Sequence, residues 1–401
     1  MLPLKHIGMA FIACIPLLGG PSASAQRVDA EHMSVSAYGR FSHVLDGHSL
    51  YDRLLNSYNY DLYGANVRLS TRPEDGNWFE RAWNYPSFSL GLSYARMGRL
   101  DFKGASRLGD ILNLQGAAEF DLLRLRRFRL GPLLELGLSW SPVRYDFRTN
   151  PDNFYIGSHW FAVIGTGLRA EWLITQHWSL DLGVYLTHHS NGMLRAPNLG
   201  INELAFGAGI HYYLTPTVFS ARPATASEEP RWRKGLQWSV FTAAGVHSCP
   251  VELDAVLAAG GPKGQGSPVP ARLRAIVGAE LIWRYAPVFA SGLSAELGYA
   301  ANDYRTADRI LAGREDPNGY SPIRAGIGLV QEFWYRDVSV HVVLGVYAFK
   351  RSGLTEDVSR TFQKIGIRYQ FRRSGLFAGL DLRAHQLDRS YSLEWSLGKR
   401  F

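Results

Sequence analysis

The chain has 401 residues, a formal net charge of +8, 41 glycines, 13% aromatic residues and two cysteines. Beyond its first residues no stretch approaches the roughly 18 unbroken apolar residues of a membrane helix, so the chain is either soluble or crosses a membrane as strands. With Cys14 in the leader described next, Cys249 stands alone, which excludes an internal disulfide and a thiolate metal cluster.

The opening "MLPLKHIGMAFIACIPLLGGPSASAQ" places Lys5 and His6 before an apolar run and ends on Ala23, Ser24 and Ala25. This pattern is expected to be a secretory signal peptide over residues 1–25, with a barrel over 26–401. The modest positive balance suits an anionic partner such as phosphorylated lipid, or simply a solvated surface.

From there to the end, period-2 alternation recurs and sustained helical periodicity is hard to find. Strands are expected near 34–42, 61–71, 87–98, 109–121, 129–143, 158–173, 177–187 and 203–214. A second group is expected near 235–247, 271–284, 288–301, 321–335, 338–349, 360–371, 376–385 and 391–401. In "SHWFAVIGTGLRAEWL" one face carries Trp160, Ala162, Ile164, Thr166, Leu168, Ala170 and Trp172, an apolar band with tryptophan at both edges. Such a face suits lipid between two aromatic girdles. The expected fold is therefore all-β, a transmembrane antiparallel β-barrel of about 16 strands, within 12 to 16.

Connections carry a second signal. If the first strand runs outward, most external loops are long (43–60, 144–157, 188–202, 248–270, 302–320), while 174–176, 285–287, 336–337 and 372–375 are tight periplasmic turns. Two connections break the rule, 72–86 and the Pro/Ser/Ala-rich 215–234, which could link the parts 26–214 and 235–401. The ending "YSLEWSLGKRF" closes on an aromatic residue and resembles the signal read by the barrel-assembly machinery. "LGVYLTHHSNG" at 182–192 is echoed by "LGVYAFKRSG" at 344–353, and "GIHYYL" at 209–214 by "GIRYQF" at 366–371.

The stretch "LTHHSNGMLRAPNLGINE" gathers polar groups at the end of an apolar strand. Alternation puts Leu182, Val184, Leu186, His188 and Ser190 on one face, with Asn202 on the matching face of the next strand and Glu203 on the lumen side. A polar group facing lipid costs free energy unless it is paired, so an intramembrane cluster is by default a functional-site hypothesis. A hydroxyl and an imidazole within reach of each other meet the requirement for a nucleophile and its base, and a site on the lipid side calls for a lipid substrate.

His188-x-Ser190-Asn191 followed by Pro197-Asn198-x-Gly200-Ile201 resembles the signature of the outer-membrane lipid A 3-O-deacylase (PagL) family. The family's members are small eight-stranded barrels that hydrolyse an ester-linked acyl chain of lipopolysaccharide. The resemblance implies Ser190 as nucleophile and His188 as base, in the outer membrane of a Gram-negative bacterium, with lipid A as substrate and no cofactor. Where the family has a glutamate, twelve residues after the serine, this chain has Asn202; Glu203 could serve as the orienting acid only through a bulge or register shift. Expected oxyanion donors are the backbone N–H groups of Asn191 and Gly192 and the side chain of Asn198. The greater length, the ending and "NFYIGS" at 153–158 resemble the larger relatives of the family, the acyloxyacyl hydrolases.

In the second-half echo Lys350 and Ser352 stand where the first half has His188 and Ser190, so no second site is expected. Arg144, Arg148 and Arg195 could meet lipid phosphates or simply be solvated. His43, Asp46 and His48 match no metal spacing, no metal site is expected, and no phosphate loop or nucleic-acid module is present. The alternative to an esterase is a non-catalytic barrel, either porin-like or structural, because a ring of about 16 strands leaves an aqueous lumen.

Overall fold

The computed structural model describes residues 33–45, 55–71, 78–102, 104–219, 232–248, 269, 271–301, 321–351, 359–385 and 389–401. The expected signal peptide, Cys14, Asp46, His48, Cys249 and Ser352 lie outside these residues.

The strands follow the alternation closely: β1 (Met33–Leu45), β2 (Asn59–Ser70), β3 (Ser87–Ala95), β4 (Ile111–Glu119), β5 (Leu123–Arg124), β6 (Phe128–Trp140), β7 (Trp160–Leu173), β8 (Trp178–Ser190) and β9 (Ile201–Tyr213). They continue as β10 (Gly235–His247), β11 (Arg272–Ala286), β12 (Phe289–Ala300), β13 (Ile323–Tyr335), β14 (Val338–Phe349), β15 (Thr361–Gln370), β16 (Leu376–His385) and β17 (Arg389–Arg400). The connection 72–86 holds a short helix, α1 (Trp78–Ala82), within its described part.

Apart from the two-residue β5, these strands match the expected sixteen, and they close as two rings of eight. In the first, β9 returns to β1, pairing Phe206 with Phe41, and β4 meets β6. In the second, β10 pairs with β17, Thr242 facing Leu397. The single wide lumen behind the porin-like alternative is therefore absent, because an eight-stranded ring is just wide enough for its own side chains to fill. Two compact units result: residues 1–144, 158–190 and 200–229 in one, and 145–157, 191–199 and 230–401 in the other.

Each wall has the polarity of a membrane barrel. On the first, Trp160, Leu168, Trp172, Leu180, Leu182 and Phe206 are exposed outward; on the second, Leu293, Leu297, Ile327, Leu329 and Leu397 are. Belts of this extent are stable in lipid and would aggregate in water.

Charge fills both interiors. In the first barrel Glu171 accepts from Arg68 at 2.9 and 3.0 Å, from Arg129 at 2.6 Å and from Tyr213 at 2.6 Å. Arg40 grips Glu135 at 2.9 and 2.5 Å and lies 3.6 Å from the centre of the Tyr185 ring. In the second, Arg368 holds Glu280 bidentately at 2.8 Å, Arg400 holds Glu332 at 2.9 and 2.6 Å, and Arg383 bridges Glu296 and Glu394 at 2.7 and 2.9 Å. Bidentate, mutually hydrogen-bonded pairs are the arrangement in which buried charge is tolerable.

Candidate active site

Strand β8 carries the site at its last turn of alternation. Trp178, Leu180, Leu182, Val184 and Leu186 point outward and are exposed; Ser179, Asp181, Tyr185 and Thr187 point inward and are buried. The same alternation puts His188 and Ser190 on the outward face and His189 on the inner one. His188 is paired across to Ile164 on one side and to Asn202 on the other, and Ser190 lies opposite Ala162. Two residues apart on an extended strand, His188 and Ser190 have Cα atoms about 6.6 Å apart. His188 is half-buried, whereas Ser190, although at an outward register position, is only 4% exposed.

Asn202 stands behind the imidazole. His188 Nδ1 and Asn202 Oδ1 are 2.7 Å apart. A carboxamide oxygen only accepts, so the bond fixes the proton on Nδ1 and leaves Nε2 with its lone pair, the form a general base requires. Glycine at 200 makes this packing possible: its φ is +73°, and a Cβ there would come within 2.8 Å of His188 Cε1 and 2.9 Å of the His189 carbonyl oxygen. In the sequence Gly200 stands out only as part of the Pro197-Asn198-x-Gly200-Ile201 motif; its contact with the imidazole is not legible there, beyond its proximity to Asn202.

Glu203 does not join them. The register His188 to Asn202 and Thr187 to Glu203 is regular, without the bulge that an orienting role required. Its carboxylate is turned inward, 1% exposed, and neither oxygen has a hydrogen-bond partner among the described residues.

The expected oxyanion donors lie on the segment 191–199, which belongs to the second compact unit. There the Asn191 backbone N–H donates to Asn198 Oδ1 at 3.0 Å, and Asn191 Nδ2 donates to the Arg195 carbonyl at 2.8 Å. The Asn191 N–H is thus engaged within its own loop. The same bond orients the Asn198 carboxamide, with its NH₂ on the side away from Asn191. Gly192 has a φ of +63° and Met193 one of +60°, a left-handed pair that turns the chain sharply. The segment "NFYIG" at 153–157 braces this loop: Leu199 N–H donates to the Phe154 carbonyl at 3.0 Å, and a Cβ on Gly157 would fall 2.2 Å from the Pro197 carbonyl oxygen.

The other polar residues singled out in the sequence take ordinary positions. His43 is exposed and bonds Asn59 Oδ1 through Nδ1 at 2.8 Å. Arg148 is exposed, and Arg144 and Arg195 are half-buried. No three His, Cys, Asp or Glu side chains converge as a metal site among the described residues.

A family model described as Lipid A 3-O-deacylase (PagL) matches residues 64–211, and one described as the acyloxyacyl hydrolase C-terminal domain matches residues 251–401. The chain belongs to the PagL family. Membership implies an outer-membrane protein with lipid A as its substrate class. Among solved structures, the outer-membrane enzyme PagL is similar at 15% identity with a TM-score of 0.29, over 44% of this chain and 97% of that one. Neisserial surface protein A is similar at 11% identity with a TM-score of 0.28, over 45% and 97%. The N-terminal β-barrel domain of Pseudomonas aeruginosa OprF is similar at 13% identity with a TM-score of 0.24, over 45% and 97%. No curated protein sequence matches the chain.

Proposed function

We propose that this protein is an outer-membrane esterase that removes an ester-linked acyl chain from lipid A, with Ser190 as nucleophile, His188 as general base and Asn202 orienting the imidazole. The observation that carries the reading is the 2.7 Å contact between His188 Nδ1 and Asn202 Oδ1 on the lipid-facing side of β8 and β9. The fold gains no core from a polar pair there, and a base held in one tautomer beside a serine is what acyl transfer needs.

In the proposed reaction the Ser190 hydroxyl oxygen attacks the ester carbonyl while its proton passes to His188 Nε2. The tetrahedral oxyanion collapses, the C–O bond to the sugar breaks, and the leaving alkoxide takes the proton from His188. Water, deprotonated by the same nitrogen, then attacks the acyl-serine and releases the fatty acid. Donors aimed at the oxyanion are assigned to the loop after the nucleophile, with the Asn198 NH₂ and the Gly192 N–H as the candidates. Asn202 holds the ring by its carbonyl but supplies no negative charge to the imidazolium, so turnover is expected to be slow for a triad of this kind.

Mass spectrometry of lipid A from cells expressing the wild type or Ser190→Ala tests the reading. The wild type should lack one hydroxyacyl chain that the variant retains. Identical spectra from two folded, inserted barrels would leave a non-catalytic membrane barrel.

A further inference from the structure

The connection between β4 and β6 is not a plain turn. Leu125 N–H donates to the Phe128 carbonyl at 2.7 Å and Leu122 N–H to the Leu130 carbonyl at 2.9 Å, while β5 pairs Leu123 with Leu130 and Arg124 with Arg129. The result is a hairpin that prolongs the first barrel's wall at the end of its tight turns, with Arg126 and Arg127 as its two tip residues. Register sets its faces. Arg129 points inward to Glu171, so Phe128 and Leu130 point outward, and Leu123 and Leu125, their partners, point outward with them.

The outward face continues the lipid-facing belt. Phe128 lies opposite Trp172 with ring centroids 6.2 Å apart, and Trp172 is strongly exposed. Leu123 is 43% exposed and Leu125 is 52% exposed. Beside these leucines Arg126 and Arg127 are exposed and make no side-chain hydrogen bond or ion pair among the described residues. Their backbone, by contrast, is pinned: the Arg126 carbonyl accepts from Phe219 N–H at 3.1 Å and the Arg127 carbonyl from Leu173 N–H at 2.8 Å.

We propose that this hairpin is a docking surface for anionic phospholipid of the periplasmic leaflet, its leucines seated among acyl chains and its two guanidiniums on the phosphates. An apolar face continuous with a membrane belt and ending in fixed, unshared cations has the chemistry of an interfacial anchor. Arginine presents a fork of donors matched to phosphate oxygens, and a rigid backbone spares the ordering cost a loose basic tail would bear.

Native mass spectrometry of the full chain from micelles doped with phosphatidylglycerol or phosphatidylcholine tests the assignment. The wild type should retain phosphatidylglycerol preferentially, and Arg126→Gln with Arg127→Gln should weaken that retention about 30-fold, at about one tenfold step per 1.4 kcal/mol and about 1 kcal/mol per basic residue. Equal retention of the two lipids by wild type, or unchanged retention by the double variant, would overturn it. A second readout places the apolar face: a fluorophore at Leu125→Cys, with Cys14 and Cys249 changed to serine, should be quenched by phospholipids brominated on the acyl chain. An unquenched label would put the hairpin in water, where a soluble protein would be its occupant, and would equally remove the proposal.

Discussion

The two barrels solve the interior problem in the same way and differ on one patch of outer wall. Glu171 with Arg68 and Arg129 in the first has its counterpart in Glu394 with Arg274 and Arg383 in the second, each carboxylate accepting hydrogen bonds from both guanidiniums named. Outward, β8 runs Leu182, Val184, Leu186 and then His188, whereas the echoing β14 runs Leu344, Val346 and Ala348 and stays apolar. Past its end Lys350 sits where the echo would put an imidazole; its ammonium donates to the Ser359 carbonyl at 2.8 Å and lies 4.8 Å from the Tyr347 ring centre. The second ring closes on buried ion pairs with no imidazole on its lipid face among the described residues; its outward polar pair, Ser291 with Gln331 at 2.6 Å, contains no base. What sets the first barrel apart is the imidazole, which is bonded to Asn202 on the next strand and has a serine two residues on in its own.

The largest expected effect follows from that contrast. His188→Ala should lower lipid A deacylation by about 10²- to 10⁴-fold, the usual contribution of a positioned base. Lys350→Ala should leave the rate unchanged, as scored by fatty acid released from purified lipid A in mixed micelles. If the two variants lost activity equally, the asymmetry between the barrels would have no catalytic meaning.

Side-chain direction made both the strands and this asymmetry legible in advance. Trp160 through Trp172 alternate well enough, with Phe161 and Val163 as apolar exceptions on the inner face, for β7 and its lipid face to follow from the sequence, and the same parity separates His188 from His189 and Asn202 from Glu203. Closure was less legible, because period-2 alternation fixes which face a residue takes and says nothing about which strand lies beside it. Only the Pro-rich segment 215–234 hinted that the chain ends one ring and starts another. The echo itself relates β8 and β9, the last two strands of the first ring, to β14 and β15, in the middle of the second, so it does not superpose one ring on the other in order. The hairpin at Leu123–Arg124 and the bond from Asn191 N–H to Asn198 were hidden for a common reason: short irregular segments are set by tertiary contacts rather than by a repeating pattern.

A smaller effect sharpens the chemistry of the first barrel. Asn202→Glu would put a carboxylate where the imidazole N–H now meets a neutral carbonyl, stabilising the imidazolium formed as Ser190 attacks. The expected outcome is a rise in kcat of about 10- to 100-fold, part of the loss that asparagine causes in serine-protease triads. Asn202→Ala should lower it. A glutamate that left the rate unchanged would mean that ring orientation, which Asn202 already provides through its 2.7 Å contact, is all that this position contributes.

The smallest effect is expected at Glu203, and it is the one that separates the inner from the outer wall. Its carboxylate faces the lumen, opposite Thr187 in the register, with no hydrogen-bond partner for either oxygen among the described residues. Glu203→Gln keeps the shape of a buried side chain whose carboxyl oxygens have no hydrogen-bond partner among the described residues, so the urea midpoint of the refolded barrel should change little. Deacylation should stay within about twofold of wild type, since single substitutions away from a reacting group change little. A loss comparable to that of Asn202→Ala would show the carboxylate swinging through the wall to the imidazole, which would require the regular pairing of His188 with Asn202 to break during turnover.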